Sequence, residues 1–148
     1  MPYDAKLEWW DTPLSALEYE GFSVTRGSWE NDRFLVPINC FGPHTTQETW
    51  LCSIANAIWV RVIGDEFFEP TPALPKGPFR SPFYHLVGSE GAAASEKWLR
   101  NTGRLRDDQH LREYLIAGMD NQVHFLTVDE PTFERLGPSS DRAPRTVN

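Results

Sequence analysis

Cysteine, histidine and carboxylate side chains are the groups of this chain that could carry out chemistry. Cys40, His44 and Cys52 offer the thiolate and imidazole donors that bind zinc when four of them converge. Their C-x3-H-x7-C spacing is not that of an established pair of short-spaced ligands, and the fourth ligand would have to be a distant histidine: His85, His110 or His124. We therefore expect neither a metal site nor a cofactor.

Nucleophilic or acid–base catalysis needs a thiol or carboxylate whose pKa is shifted by its surroundings. Cys40 precedes a predicted helix N-terminus, which favours a low thiol pKa, but it also suits an inward position at the end of a strand. Two groups of carboxylates are the other candidates: Asp65 and Glu66 with Glu69, and Asp129 and Glu130 with Glu134. Neither group has glycines or histidines in a recognisable catalytic arrangement, so no catalytic residue is assigned and the chain is interpreted as non-enzymatic.

Three tryptophans stand among acidic residues and are candidates for recognition. Trp29 lies in a polar turn between Ser28 and Glu30, and Trp9 and Trp10 lie between Glu8 and Asp11. Large aromatic side chains are enriched at the energetic centres of protein interfaces. The alternative is that these rings fold back as lids over the core.

The negative charge is concentrated in the first half of the chain. Residues 1–69 hold 11 acidic and 4 basic residues, a net charge of 4 − 11 = −7, whereas residues 70–148 hold 10 of each. A net negative charge opposes binding to nucleic acid, and the basic residues of 97–112 are interspersed with acids. The charge pattern indicates an acidic surface suited to a basic partner protein.

Length and composition restrict the class of protein. A chain of 148 residues matches one domain, and 40% hydrophobic residues argue against disorder. Two cysteines are too few for a disulfide framework, residues 1–10 lack the pattern of a secretory signal, and no apolar run is long enough to span a membrane. We expect a cytoplasmic protein that does not bind membranes.

The segment 46–63 has two competing interpretations. Thr45-Thr46-Gln47-Glu48 matches a capping box, and apolar residues follow at helical spacing. The rival interpretation is strand, because Trp50, Cys52 and Ile54, and then Ile58, Val60 and Val62, also alternate with period two. The cap favours the helix, which would be the central buried element.

The remaining elements suggest an antiparallel sheet. We predict helices at 13–20 and 92–101, strands at 22–26, 33–38 (an edge strand because of Pro37), 83–87 and 122–128, and a turn at 131–136. Residues 107–117 are either a helix or, at 113–117, the first arm of a hairpin. Five prolines make 69–82 an irregular strap. The predicted fold is α+β: one domain at 1–137 with about four antiparallel strands packed on the 46–63 helix, and a mobile tail at 138–148.

The function expected from these patterns is a non-enzymatic module that covers a basic surface of a partner protein. In composition alone, the chain is similar to small acidic inhibitors such as the immunity proteins that neutralise toxins. The predicted partner-binding residues are Glu8, Trp9, Trp10, Asp11, Trp29, Glu30, Asp32, Asp65, Glu66 and Glu69. The alternative is a small-molecule-binding protein or enzyme with an aromatic-lined pocket, in which a carboxylate or one of Cys40, His44, His85 and His124 supplies the polar group.

Overall fold

Residues 5–15, 19, 21–42, 47–64, 75 and 82–138 are described by a computed structural model. Within them the chain forms ten strands and one helix. In order, these are β1 (Lys6–Trp9), β2 (Gly21–Val24), β3 (Ser28–Glu30), β4 (Arg33–Phe41), β5 (Gln47–Ala55), β6 (Ala57–Gly64), β7 (Phe83–Val87), α1 (Glu90–Asn101), β8 (Arg112–Ala117), β9 (Asn121–Thr127) and β10 (Thr132–Pro138).

The strands form two antiparallel sheets. The first has the order β1-β7-β8-β9-β6, and the second has the order β10-β5-β4-β2, with β3 also paired to β4. The described chain is therefore a small single domain, mostly strand, with antiparallel sheets and one helix, in agreement with the predicted mixture of elements.

The chain passes between the two sheets at one corner, from β5 to β6 and from β9 to β10. Asn56 alone separates β5 from β6 and has a left-handed φ of 55°, a conformation that asparagine tolerates better than most residues. Residues 128–131 lead from β9 to β10 at the same corner, so that β5 pairs with β10 and β6 pairs with β9. The Thr127 hydroxyl donates to the Ala55 carbonyl at 2.9 Å, which fastens the two bends together.

The main core lies between the sheets and combines aliphatic and aromatic side chains from both. Tyr114, Phe83 and Phe125 of the first sheet meet Val36, Ile38 and Ile54 of the second, and all are fully buried. A second cluster of buried residues contains Leu7, Tyr84, Leu86 and Leu115, which project from the opposite face of the first sheet. This sheet is therefore buried on parts of both faces.

The predicted helix at 46–63 is wrong, because the segment forms β5 and β6. The rival period-two interpretation describes it: Cys52 and Ile54 are buried, and Val60 and Val62 pack against the same core. The predicted sheet of about four strands on a central helix is therefore corrected to two sheets: the segment supplies β5 to the second sheet and β6 to the first.

The other predicted elements divide into confirmed and corrected ones. The strands at 22–26, 33–38, 83–87 and 122–128 and the helix at 92–101 are confirmed, and 113–117 is the first arm of a hairpin. The predicted turn at 131–136 is strand β10, which pairs with β5. Of the predicted helix at 13–20, residues 13–15 form a turn and most of the remainder lies outside the described residues.

The prediction that Pro37 marks an edge strand is also wrong, because β4 lies between β5 on one side and β2 and β3 on the other. Proline is tolerated there because the β2 ladder ends at Val24 and the β3 ladder begins at Ser28. Pro37 faces the break between them, where its carbonyl accepts from the Thr25 N–H at 3.1 Å.

Two predicted segments fall almost entirely outside the described residues. They are the strap at 69–82, of which Pro75 and Pro82 are described, and the tail at 138–148, of which the backbone of Pro138 ends β10.

Candidate functional site

The first candidate surface is the hairpin formed by residues 26–33, which we call the Trp29 hairpin. Asn31 and Asp32 connect β3 to β4, with Asn31 in the left-handed region at φ 58°. Trp29 is 54% exposed, and its ring packs edge-on against Phe34 at 5.2 Å. One edge of the indole is thus anchored to the core, while much of the ring remains available to a partner.

Charged side chains surround this tryptophan. Glu30 and Asp32, both predicted as partner-binding residues, are exposed. Arg26 and Arg33 are exposed in the same hairpin, and Arg33 donates to the Ser53 hydroxyl at 3.4 Å. The hairpin therefore carries two carboxylates and two guanidinium groups around an exposed indole, and its formal charge is balanced.

The predicted residues at the N-terminal strand divide between surface and core. Glu8 and Asp11 are exposed, and Trp9 is half-buried and stacks on Tyr84 at 5.2 Å. Trp10 is 2% exposed and packs at 4.3 Å from Tyr114, between rings of both sheets. The assignment of Trp10 to a partner surface is therefore wrong, because its indole fills the core; the lid interpretation describes it.

The second candidate surface is a groove next to this strand, which we call the β1 groove. It has a volume of about 560 Å³ and is lined by Glu8, residues 85–89, the α1 residues Ala92, Ala93 and Glu96, and residues 111–113. The position of α1 is defined at its start by Ser89, whose hydroxyl accepts from the Ala92 N–H at 3.2 Å. The Leu111 N–H donates to Glu96 at 2.8 Å and ties the middle of α1 to the segment that leads into β8.

His85 is the histidine of the groove lining. It lies opposite Glu8 in the β1–β7 ladder, and its ring lies 5.0 Å from the Tyr114 ring and 5.9 Å from the Trp10 ring. Burial lowers the pKa of His85. The carboxylates of Glu130, Glu8 and Asp11 act to raise this pKa, and the guanidinium group of Arg112 acts to lower it. Three carboxylates and one guanidinium therefore act on an imidazole that is neutral at pH 7.

The negative charge of Glu96 is already compensated by its neighbours. The Leu111 N–H, together with Arg100 and His110, holds the pKa of Glu96 below its usual value against the effect of burial. Arg100 donates to Glu96 Oε2 at 2.9 Å. This carboxylate positions the helix, and it leaves Glu8 as the exposed acid of the groove.

A buried polar network adjoins the groove at Glu113. Arg61 lies 3.2 Å from His124 Nδ1, and His124 Nε2 lies 2.5 Å from Glu113 Oε2. Because arginine only donates, Nδ1 must accept, so the proton is on Nε2 and is donated to Glu113. Glu113 is 7% exposed, and its other oxygen, Oε1, has no hydrogen-bond partner among the described residues.

The predicted acidic residues do not all contribute to one described surface. Glu8 and Asp11 lie near His85 of the first sheet, whereas Glu30 and Asp32 lie in the second sheet's Trp29 hairpin. Glu48 bonds Arg135 of the second half at 2.6 Å. Asp65, Glu66 and Glu69 lie outside the described residues.

The cysteines are placed where they are chemically inert. Burial raises the pKa of Cys40 to about 12, and it raises the pKa of Cys52 further, so both thiols are neutral and buried in the core. His44, the proposed companion, lies outside the described residues. Among the described residues there is no group of three or more His, Cys, Asp or Glu side chains that could hold a metal ion.

Sequence reasoning named His85 and His124 as candidates for a pocket but missed Glu96, Arg112 and Glu113 as site residues. The sequence does contain a signal for one pair, Glu113 and His124. Once 112–127 is interpreted as a hairpin, Glu113 and His124 become diagonal neighbours on one face of adjacent strands. The packing of α1 beside these strands has no comparable signal.

Comparisons with known proteins give no relative: no family model, curated protein or solved structure matches this chain. In the part of the chain that the structure describes, no helix has the length and apolar character needed to cross a membrane.

Proposed function

We propose that this protein is a non-enzymatic binding module of the inhibitor or immunity type that covers a basic surface of a partner protein. The observation that carries the proposal is Trp29, a large aromatic side chain that is 54% exposed on an ordered hairpin. Burying the exposed part of an indole against a partner removes a large apolar area from water. Tryptophan is among the residues that most often dominate binding energy.

The preference for a basic partner rests on the net charge of the whole protein, because the Trp29 hairpin itself is balanced in formal charge. Glu30 and Asp32 flank the indole, and Glu8 and Asp11 provide a second group of exposed carboxylates on the first sheet. With a net charge of −7, the protein attracts a basic surface from a distance and repels nucleic acid. The arginines of the hairpin restrict which basic surfaces fit, since a partner must place its cations away from Arg26 and Arg33.

A small-molecule-binding protein is the second candidate, and the β1 groove favours it. Its volume of about 560 Å³ is in the range of ligand sites, and His85 lies in its lining. Two features weigh against catalysis there: the thiols are buried elsewhere in the core, and the groove is lined mainly by aliphatic and charged groups rather than by aromatic rings.

The test is affinity capture from the native host with three forms of the protein. The wild type should retain a basic protein after nuclease treatment, and a Trp29→Ala/Asp32→Asn double variant should lose it. Trp98→Ala is the matched control, because Trp98 is 55% exposed at a different site, on α1. Equal recovery by the double variant, or capture that depends on nucleic acid, would contradict the proposal.

A further inference from the structure

We propose that the β1 groove binds a lysine or arginine side chain of the partner protein, an inference that rests on the function proposed above. The groove has two parts that match the two parts of such a side chain. One part is acidic and suits an ammonium or guanidinium group, and the other is aliphatic and suits the methylene stem.

The acidic part follows from the titratable side chains of the lining. Glu8, Glu96 and Glu113 are carboxylates, and Arg112 is the opposing cation. The charge of Glu96 is compensated by Arg100, whereas Glu8 is exposed. The carboxylates of Asp11 and Glu130 also act on His85, which lies in the same lining. The charged residues of the lining therefore have a formal excess of negative charge, and exposed Glu8 is the carboxylate that an entering cation can reach.

The aliphatic part is formed by Val87, Ala92, Ala93 and Leu111. Val87 is 45% exposed although it is a large apolar residue at the end of β7. The small side chains of Ala92 and Ala93 leave room beside it. A methylene stem that lies along this wall would remove apolar surface from water without burying its charged end.

Glu113 supplies an independent observation. It lines the groove and is 7% exposed, and its Oε1 has no hydrogen-bond partner among the described residues. A buried carboxylate oxygen without a donor is destabilising, and a nearby positive charge reduces that cost. His124, which contacts Arg61, donates to Oε2; this network compensates part of the carboxylate's charge and leaves Oε1 without a donor among the described residues.

The test uses a capped Gly-Arg-Gly peptide and follows backbone amide shifts of the full chain by NMR. We expect saturable shifts centred on residues 8, 85–89, 92–96 and 111–113, with affinity in the millimolar range. The same peptide with citrulline, which is uncharged and nearly isosteric, should bind about fivefold more weakly or not at all, which corresponds to about 1 kcal/mol. Equal binding of citrulline would overturn the proposal, as would shifts elsewhere or none.

Two pairs of variants locate the site. Ala93→Arg places a resident guanidinium group at the groove and should abolish the peptide-induced shifts, whereas Ala94→Arg, on an exposed neighbour outside the lining, should preserve them. Glu8→Gln should weaken binding about threefold to fivefold. Glu134→Gln, at an exposed carboxylate of β10 outside the groove, should leave it unchanged. Peptide binding that survives Ala93→Arg would place the cation outside the groove.

The peptide measurement also separates this inference from the proposed function, because it needs no partner. If the protein captures a basic partner through Trp29 but Ala93→Arg captures it equally well, the groove inference fails and the function stands. If the groove binds the arginine peptide but the Trp29→Ala/Asp32→Asn variant retains every captured protein, the hairpin interface fails.

Discussion

Trp10 and Trp29 should respond in opposite ways to truncation. Trp10 is 2% exposed and contacts rings of both sheets, so Trp10→Ala leaves a large cavity and should cost about 3–5 kcal/mol of unfolding free energy. Trp29 loses mainly one edge-on contact with Phe34, so Trp29→Ala should cost about 1 kcal/mol or less. The cost at Trp10 is a large fraction of the total stability of an ordinary domain, which is about 5–15 kcal/mol.

Urea unfolding followed by far-UV circular dichroism measures both changes, because it does not depend on tryptophan fluorescence. With an m-value of about 2 kcal/mol/M, a loss of 4 kcal/mol lowers the midpoint by about 2 M. If Trp10→Ala does not fold, Trp10→Phe keeps part of the ring and should lie between the alanine variant and the wild type. Similar midpoints for the Trp10→Ala and Trp29→Ala variants would refute the division of these tryptophans into core and surface.

Three further predictions concern the rest of the fold. Asp120→Ala should lower the free energy of unfolding, measured in urea, by about 3 kcal/mol, because the Asp120 carboxylate accepts from the buried Val24 N–H at 2.9 Å and ties the β8–β9 turn to β2. A change below about 1 kcal/mol would contradict this reasoning. The pKa of His85 is lower in the folded chain than in the unfolded chain, so the free energy of unfolding should fall as pH drops below about 6.5. His85→Gln should flatten this decline between about pH 7 and pH 5. Cys40 and Cys52 should react with a thiol reagent only after denaturation, and rapid labelling of the folded protein would show that they are accessible.

The strand content could be predicted from the sequence where turns and alternation agree. The hairpin of β8 and β9 is an example, since Val123 and Phe125 alternate with polar residues after a turn. The segment 46–63 shows why the rest could not. Positions 50, 54, 58 and 62 are four apart, a spacing that suits both one helix face and one strand face, so the apolar residues there do not discriminate. The β-branched residues of this segment were the better signal.

The candidate site was predicted only in part, because the sequence gives composition but not which side chains share a surface. The acidic first half and the exposure of Trp29 follow from local polarity. The pairing of Glu48 with Arg135 depends on the β5–β10 ladder. A prediction that places a helix at 46–63 excludes this ladder, and it therefore excludes the pairing as well. The meeting of α1 with β1, β7 and β8 is likewise a tertiary arrangement and leaves no local pattern.

The register of β1 links the core to the groove. Side chains alternate along a strand, so Glu8 and Trp10 point to one face of the first sheet, and Leu7 and Trp9 point to the other. The β1–β7 ladder places Glu8 opposite His85, and the Trp10 N–H continues it by donating to the Phe83 carbonyl at 3.1 Å. A slip of one residue would move Trp10 out of the core and Glu8 away from His85 together. The burial of Trp10 therefore holds Glu8 at the groove, and a substitution that loosens Trp10 should weaken cation binding without changing any residue of the lining.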